Sequence, residues 1–262
     1  METSIPCFFF FPPKSAGMST TLSENGNFIE RIYAFPSIDS TNEYAKKLSS
    51  LPQNGVFIIK ADVQTCGKGR RGKSFFSSVR GGLWVSIISP IEDISLHFSQ
   101  NRAISLAICN SILKYYPDAP IRIKWPNDIY WNDKKIAGIL LEPMPQSTKH
   151  IIIGFGLNVN ISETAFPDSL KNIASSLLIE SNQITPIDHL LKSIAEQFCF
   201  LKAQTVEKSH SQYKSLLYRA GKPARINGNS GIFESVTNDG FFELKTQKGI
   251  ERFASGTVSF SF

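Results

Sequence analysis

IRIKWPNDIYWNDKKIAGILLEPMPQSTKHIIIGFGLNVN, residues 121–160, decides the fold. Its apolar runs are strand-sized and bounded by turn residues. Ile121–Trp125 reads as a strand closed by Pro126, which biases Trp125 to extended backbone. Asp128–Trp131 and Lys135–Glu142 flank Asn132-Asp133, a pair suited to a tight hairpin turn. Ile151–Asn160 is a further strand, with Gly154 and Gly156 on one face, where a ligand or another backbone can come close. Strands joined by such short turns pair antiparallel.

Working outward, Ile29–Phe35 reads as a strand. Ser40-Thr41-Asn42-Glu43 has capping-box spacing and opens a short helix with Tyr44, Ala45 and Leu48 on its apolar face. Val56–Gln64 is a strand that runs into a glycine-rich basic loop, Gly67–Gly72, and Leu83–Ser89 is another. Ala103–Tyr115 has helical period, and Thr185-Pro186 starts a helix to about Ala203 with Leu190, Leu191, Ile194, Phe198 and Leu201 inward. After about Arg219 the grammar changes to short strands, Pro223–Ile226, Gly231–Thr237, Phe241–Thr246, Ile250–Ser255 and Thr257–Phe260, broken by Asn/Gly turns. The organisation expected is an α+β domain over residues 28–218 and a small all-β barrel over 219–262. Residues 1–27, with Phe8–Phe11 followed by Pro12-Pro13, read as a loose tail. Glu2 and a short apolar stretch do not make a secretory signal, and Met18 is an alternative start.

At 262 residues, 42% hydrophobic and 19% charged, the chain suits a packed globular core rather than a disordered or fibrous one. No apolar run approaches the roughly 20 residues of a membrane-spanning helix. Cys7, Cys66, Cys109 and Cys199 form no C-x-x-C pair, and His97, His150, His189 and His210 lack ligand spacing. A structural zinc is therefore not expected, and a reducing cytosol is. The net charge of +6 is local: Lys60, Lys68, Arg70, Arg71, Lys73 and Arg80 face only Asp62 in their stretch. One basic loop suits a compact anionic ligand better than a broad duplex-binding face.

That loop, Gly67-Lys68-Gly69-Arg70-Arg71-Gly72, matches G-x-G-x-x-G, yet Lys73–Ser78 leads to another strand and not to the helix a dinucleotide fold requires. The same glycines can expose N–H groups while Lys68, Arg70 and Arg71 hold a polyphosphate; the plainer alternative is a solvated basic loop. Lys124-Trp125-Pro126-Asn127-Asp128 and Lys135-x-x-Gly138 form a second constellation. Alone, Lys135 reads equally as a lysine snorkelling from a strand start, and Asp128 as a turn former. Ser40, Thr41 and Asn42 are helix caps or, since a helix start presents N–H groups, binders of a small polar ring. Asn158 follows the two glycines as another polar candidate.

Taken in order, Ser40-Thr41-Asn42, Gln64-Thr65-Cys66 with the glycine loop, Lys124–Asp128, Lys135–Leu140 and Gly154–Asn160 resemble the biotin protein ligases (biotin, acetyl-CoA-carboxylase ligases) from about residue 30 to the end. The resemblance implies a class II synthetase-like mixed or antiparallel sheet with flanking helices plus a C-terminal SH3-like barrel. It implies ATP and biotin as substrates with Mg²⁺, a biotinyl-5′-AMP intermediate, and transfer of biotin to a lysine of a biotin carboxyl carrier domain in the cytoplasm, with neither DNA nor membrane as partner. By the same resemblance Lys135 and Arg70 are catalytic; Ser40, Thr41, Asn42, Gln64, Gly67, Lys68, Gly69, Arg70 and Gly138 bind substrate; Arg70, Arg71, Asn127, Asp128 and Asn158 bind nucleotide. The chain departs from the family pattern at Lys68 (usually Arg), Cys66 (usually Ala) and Phe75 (usually Trp); a lysine keeps the charge but loses the planar fork. Residues 1–27 cannot build the winged helix of the repressor members. The rival readings are a lipoate-protein ligase and a non-catalytic nucleic-acid-binding module.

Overall fold

The apolar runs pair into two sheets in a computed structural model that describes residues 29–260. The larger sheet contains β1 (Ile29–Phe35), β2 (Val56–Ala61), β3 (Gly82–Pro90), β4 (Ile121–Lys124), β5 (Asp128–Trp131), β6 (Lys134–Met144) and β7 (Ser147–Asn158) in the order β1-β2-β3-β7-β6-β5-β4. β1 and β2 are parallel because the chain crosses between them through helix α1 (Thr41–Lys46); the other neighbours are antiparallel, β4-β5-β6-β7 through short turns and β2-β3 and β3-β7 across longer connections.

The two-residue alternation of β7 gives the sheet unlike faces. Ile151, Ile153, Phe155 and Leu157 join a core with α2 (His97–Tyr115) and α5 (Ile187–Lys202), whose inner face carries Leu190, Leu191, Ile194, Phe198 and Leu201 as the periodicity requires. The intervening Ile152 packs with Tyr33, Phe35 and Ala45 near α1, while Gly154 and Gly156 leave that side of the sheet open. The second sheet is antiparallel, β11-β10-β9-β8-β12, formed by β8 (Pro223–Ile226), β9 (Asn229–Val236), β10 (Phe242–Thr246), β11 (Gly249–Phe253) and β12 (Val258–Phe260). Asn227 and Gly228, both with positive φ, form the turn between β8 and β9.

The second sheet shares its core with the first. Phe233 stacks on Phe242 with centroids 4.2 Å apart, Trp125 lies 5.3 Å from Phe242, and the Trp125 indole donates to the Gly240 carbonyl at 2.8 Å. Gly240 has φ +91°, and a Cβ there would fall 2.4 Å from the Phe98 ring.

Several boundaries differ from expectation for local reasons. Ser40 is the N-cap of α1 by backbone, but its side chain makes no capping bond; Glu43 instead pairs with Lys46 and Lys68 at 2.8 Å each, so the capping box does not close. β2 ends at Ala61, before Gln64. α2 begins at His97, because Phe98 and the buried polar residues Gln100 and Arg102 extend its inner face below the apolar repeat. The helices α3 (Asp168–Lys171), α4 (Leu177–Ser181) and α6 (Val206–Ser215) carry too little apolar pattern to be read; α6 turns Ser209, His210 and Tyr213 inward. The expectations for residues 1–27, and the choice between Met1 and Met18, fall outside the described residues.

A shared core has a thermodynamic consequence. Phe242→Ala should destabilise the protein by about 3–5 kcal/mol, and the two sheets should still unfold in one transition. Calorimetry checks this; two separated transitions, with only the smaller displaced, would show that the second sheet folds independently.

Candidate active site

The open side of the large sheet is closed over by α1, the glycine loop and residues 256–258, where the chain enters β12 of the second sheet, leaving a cavity of about 330 Å³. Its two ends differ in chemistry. One is neutral and polar: Ser40, Thr41, Asn42 and Gln64, each buried, beside Gly154. The Gln64 carbonyl oxygen accepts from the Thr41 backbone N–H at 2.8 Å and from its hydroxyl at 3.0 Å.

The other end is cationic. Lys135 Nζ lies 2.6 Å from Asp128 Oδ1. Its backbone is no frayed strand start: the Lys135 N–H donates to Ile173 O and its carbonyl accepts from Ser175 N, both at 2.9 Å. Asn127 donates from Nδ2 to Ile139 O at 2.6 Å, which turns Oδ1 toward Arg70, whose NH1 donates to it at 3.1 Å. Arg70 is thereby held by the β6 backbone through one amide. Its desolvation, together with Arg71, lowers its pKa from the ordinary guanidinium value, though a guanidinium stays charged. Lys124 also lines this end and donates to the Tyr130 hydroxyl at 3.3 Å. Its ammonium sits 5.1 Å from the Tyr130 ring and 6.0 Å from that of Phe260. Burial and the charges of Lys135 and Arg219 pull its pKa below the usual lysine value, against an upward pull from Asp128.

Between the ends lies a floor without side chains. Gly138 faces Gly156 across β6 and β7, and Phe75 rests on both, edge-on to Trp84 at 6.0 Å and beneath Lys135 Nζ at 5.7 Å. The loop folds on itself, with Gly69 N–H donating to Lys73 O at 2.7 Å and Phe75 N–H to Gly67 O at 2.9 Å. Arg70–Gly72 forms a single 3₁₀ turn with Arg71 at φ 55°, and no helix follows. Arg71 NH1 lies 3.4 Å from Thr257 Oγ1, across to the second sheet.

Twelve of the expected site residues line the cavity: Ser40, Thr41, Asn42, Gln64, Lys68, Gly69, Arg70, Arg71, Asn127, Asp128, Lys135 and Gly138. Two, Gly67 and Asn158, do not line it. Gly67 is wedged against Ser77, whose Oγ would be 2.1 Å from a Cβ, and Asn158 is buried with Nδ2 donating to Ser175 O at 2.8 Å. Lys68 touches the rim but spends its charge on Glu43, where the sequence suggested a phosphate. Cys66 is disulfide-bonded, against the expectation of reduced cysteines; Cys109 and Cys199 are free. Lys124, Phe75 and Thr257 line the cavity without having been singled out as site residues. Lys124 had a signal, its place in the Lys124–Asp128 motif, and Thr257 a fainter one, its place in Gly256-Thr257-Val258-Ser259, where the C-terminal barrel shares the family resemblance.

Such a cavity, a neutral hydrogen-bonding end joined across a glycine floor to a cluster of cations, defines the class of site that holds a small acid beside a polyanion. The profile of the biotin/lipoate A/B protein ligase family matches residues 34–158. The chain is 30% identical over 235 residues to the bifunctional ligase/repressor BirA of Bacillus spizizenii, a match spanning 84% of this chain and 71% of that protein. It is 25% identical over 234 residues to the biotin (acetyl-CoA-carboxylase) ligase of Paracoccus denitrificans, spanning 85% of this chain and 97% of that one. The backbone superposes on the Aquifex aeolicus biotin protein ligase solved with biotin and ATP, with TM-score 0.77 and 24% identity over 88% of this chain and 99% of that one, a likeness of fold. This chain belongs to the biotin/lipoate protein ligase family, among the biotin protein ligases.

The floor is testable without a ligand. A Cβ on Gly156 would sit 2.3 Å from Phe75 Cε1. Gly156→Ala should therefore displace the ring, alter Trp84 fluorescence and destabilise the protein by about 1–3 kcal/mol, as overpacking does. A denaturant titration indistinguishable from the parent in both signal and midpoint would mean that Phe75 does not rest on the glycines.

Proposed function

We propose that the chain is an ATP-dependent biotin protein ligase working in two steps: biotin and ATP give biotinyl-5′-AMP and pyrophosphate, and the biotinyl group passes to a lysine of a biotin carboxyl carrier domain. One observation carries the assignment of ends: Lys135, Lys124 and Arg70 converge around Asp128 and Asn127, while the opposite end is walled by the neutral Ser40, Thr41, Asn42 and Gln64, with Lys68 at its rim already paired with Glu43. The first step brings a carboxylate to an already anionic α-phosphate, and fixed cations in a partly dry site lower that barrier most effectively.

In this reading Thr41, Asn42, Ser40 and Gln64 take the biotin ring, and the acyl chain runs over Gly138. Lys135, pinned by Asp128, faces the carboxylate and the α-phosphate together and stabilises charge that develops in both steps. Arg70, held by Asn127, neutralises phosphate oxygens, with Arg71 and Gly69 beside it. Lys124, with its lowered proton affinity, adds a third positive charge without a carboxylate of its own.

Among the described residues no group of three or more His, Cys, Asp or Glu could hold a metal ion, and Asp128 is the only carboxylate lining the cavity. One carboxylate suits Mg²⁺ that enters on nucleotide phosphates and keeps most of its waters. When bound, the ion would neutralise phosphate oxygens, with Asp128 the residue able to reach it. The acceptor in this reading is the carrier domain of acetyl-CoA carboxylase or a related carboxylase, met in the cytoplasm. No helix among the described residues is long and apolar enough to cross a membrane, and a role on DNA forms no part of the proposal.

The deciding experiment is ATP–pyrophosphate exchange with purified protein, run with biotin and with lipoate. Exchange with biotin alone supports the proposal. Exchange with lipoate alone makes the chain a lipoate ligase, and no exchange with salt-sensitive oligonucleotide binding makes it a nucleic-acid module.

Two substitutions test the residue roles. Lys135→Ala should leave the fold intact and slow adenylation about 10²–10³-fold, the effect of one well-placed electrostatic contact; a rate within threefold of the parent would return Lys135 to a snorkelling role. Arg70→Gly removes a phosphate contact and loosens a loop that shields the mixed anhydride from water. Biotinyl-AMP should then escape faster in a chase experiment, and avidin blots should show bystander proteins labelled. Unchanged release with carrier-only labelling would remove the loop from the mechanism.

A further inference from the structure

We infer that Glu142, which does not line the cavity, is the positioning residue that fixes the hydrogen-bond polarity of the neutral end, and that Lys46 holds it in place. The inference rests on the reading of Thr41, Asn42 and Gln64 as the biotin-facing end.

Proton accounting leads to it. Glu142 stands on β6 and, as a carboxylate, can only accept. Its Oε2 accepts from Asn42 Nδ2 at 2.7 Å and its Oε1 from Lys46 Nζ at 2.7 Å. Lys46 in turn pairs with Glu43, so its ammonium lies between two carboxylates, and they raise its pKa against the downward effect of burial. With Nδ2 committed to Glu142, Asn42 turns Oδ1 to Ser86 Oγ, 2.5 Å away. Ser86 also lies 2.7 Å from Thr41 Oγ1, and one hydroxyl has one proton for two neighbours. The amide oxygen, which can only accept, takes it. The Thr41 hydroxyl is left to donate its one proton, either back to Ser86 Oγ or on to Gln64 Oε1 at 3.0 Å, an oxygen the Thr41 backbone N–H already serves.

These groups permit a second, equally continuous arrangement. With the Asn42 amide flipped, Nδ2 would donate to Ser86, Ser86 to Thr41 and Thr41 to Gln64. Thr41, Asn42, Gln64 and Ser86 are all buried, so water is poorly placed to mend a wrong orientation. Only the contact with Glu142 separates the two arrangements, because the flip sets an amide oxygen against a carboxylate. Gly154 lets this choice reach the ligand: it has no side chain, and the Asn42 amide occupies the space a Cβ would need, with Oδ1 2.3 Å and Nδ2 2.8 Å from it. In the observed arrangement Asn42 has a second N–H to offer, and the Gln64 amide nitrogen has no protein partner among the described residues. The end therefore presents donors to a ring carbonyl, as in a cyclic urea. A flipped Asn42 would present an acceptor, which suits a cyclic guanidine.

The test compares biotin with 2-iminobiotin, its guanidine analogue, in ATP–pyrophosphate exchange below the guanidinium pKa. Glu142→Ala should raise the KM for biotin about tenfold, leave the KM for ATP within twofold, and cut the preference for biotin over 2-iminobiotin by about tenfold. Glu142→Gln keeps the volume, but its amide serves either arrangement equally, so its preference should fall between those of parent and Glu142→Ala. If the alanine variant does not fold, the glutamine variant alone decides. Parental preference in the folded variants, or equal rises in both KM values, would overturn the inference while leaving the ligase reading intact. Absence of biotin-dependent exchange in the parent protein would overturn both.

Discussion

The pairing of Gly138 with Gly156 across β6 and β7 is the constraint on which the site depends. Two side chains are missing from the centre of a sheet whose opposite face is packed with Ile139, Phe155 and Leu157. A bare strip in the middle of a well-paired sheet can be covered by a ring or by a ligand. Here Phe75 covers part of it and brings the glycine loop down with it, so Arg70 arrives within reach of Asn127 and Phe75 lies beneath the Lys135 ammonium. Side chains at these two positions would fill the floor, and the loop would have nowhere to dock.

Separation of charge along the cavity follows from the same sheet. Lys135, Asp128 and Asn127 come from the β4–β6 edge, where short turns bring polar residues together; the neutral end comes from α1 and the chain after β2. The carboxylates near α1, Glu43 and Glu142, are neutralised by Lys46 and Lys68 and stay out of the cavity lining. A carboxylate substrate entering the neutral end thus meets no like charge, and its anionic head lies toward the fixed cations. The short-range pairing of Asp128 with Lys135 also lessens the repulsion that Lys124, Arg70 and Lys135 would otherwise feel while the phosphates are absent.

What could be read from the sequence, and what could not, divides along contact distance. Strand alternation, the turn at Asn132-Asp133, Gly154 and Gly156 on one face of β7, and the Asn-Gly turn at 227–228 are local, and each formed where its own residues dictate. The glycine loop was recognisable as a binder of anions because six adjacent residues carry the pattern. By contrast, Glu142 lies 100 residues from Asn42 and gives no local sign of touching it. Thr257 meets Arg71 across 186 residues. α6 escaped notice because the residues it turns inward include Ser209 and His210, which satisfy no apolar template. Gly67 shows the limit of a motif: it fits the glycine pattern, yet it packs against Ser77 and does not line the cavity.

The second sheet bears on the site through contacts that a separate module would lack. Phe260 on β12 helps to enclose the Lys124 ammonium, Thr257 meets Arg71, and the indole of Trp125, next to Lys124 in the chain, donates into the Gly240 turn. Lys124 ends β4 with its ammonium toward the cavity, and Trp125, the first residue of the following turn, lines the same cavity while packing into the core. A shift of the second sheet would therefore move the charge of Lys124 and the core packing of Trp125 together. Coupling of this kind makes the position of a cationic group in the cavity depend on aromatic packing more than 100 residues further along the chain, at Phe233 and Phe242, and it explains why a small sheet with little core of its own is fastened to this edge of the larger one.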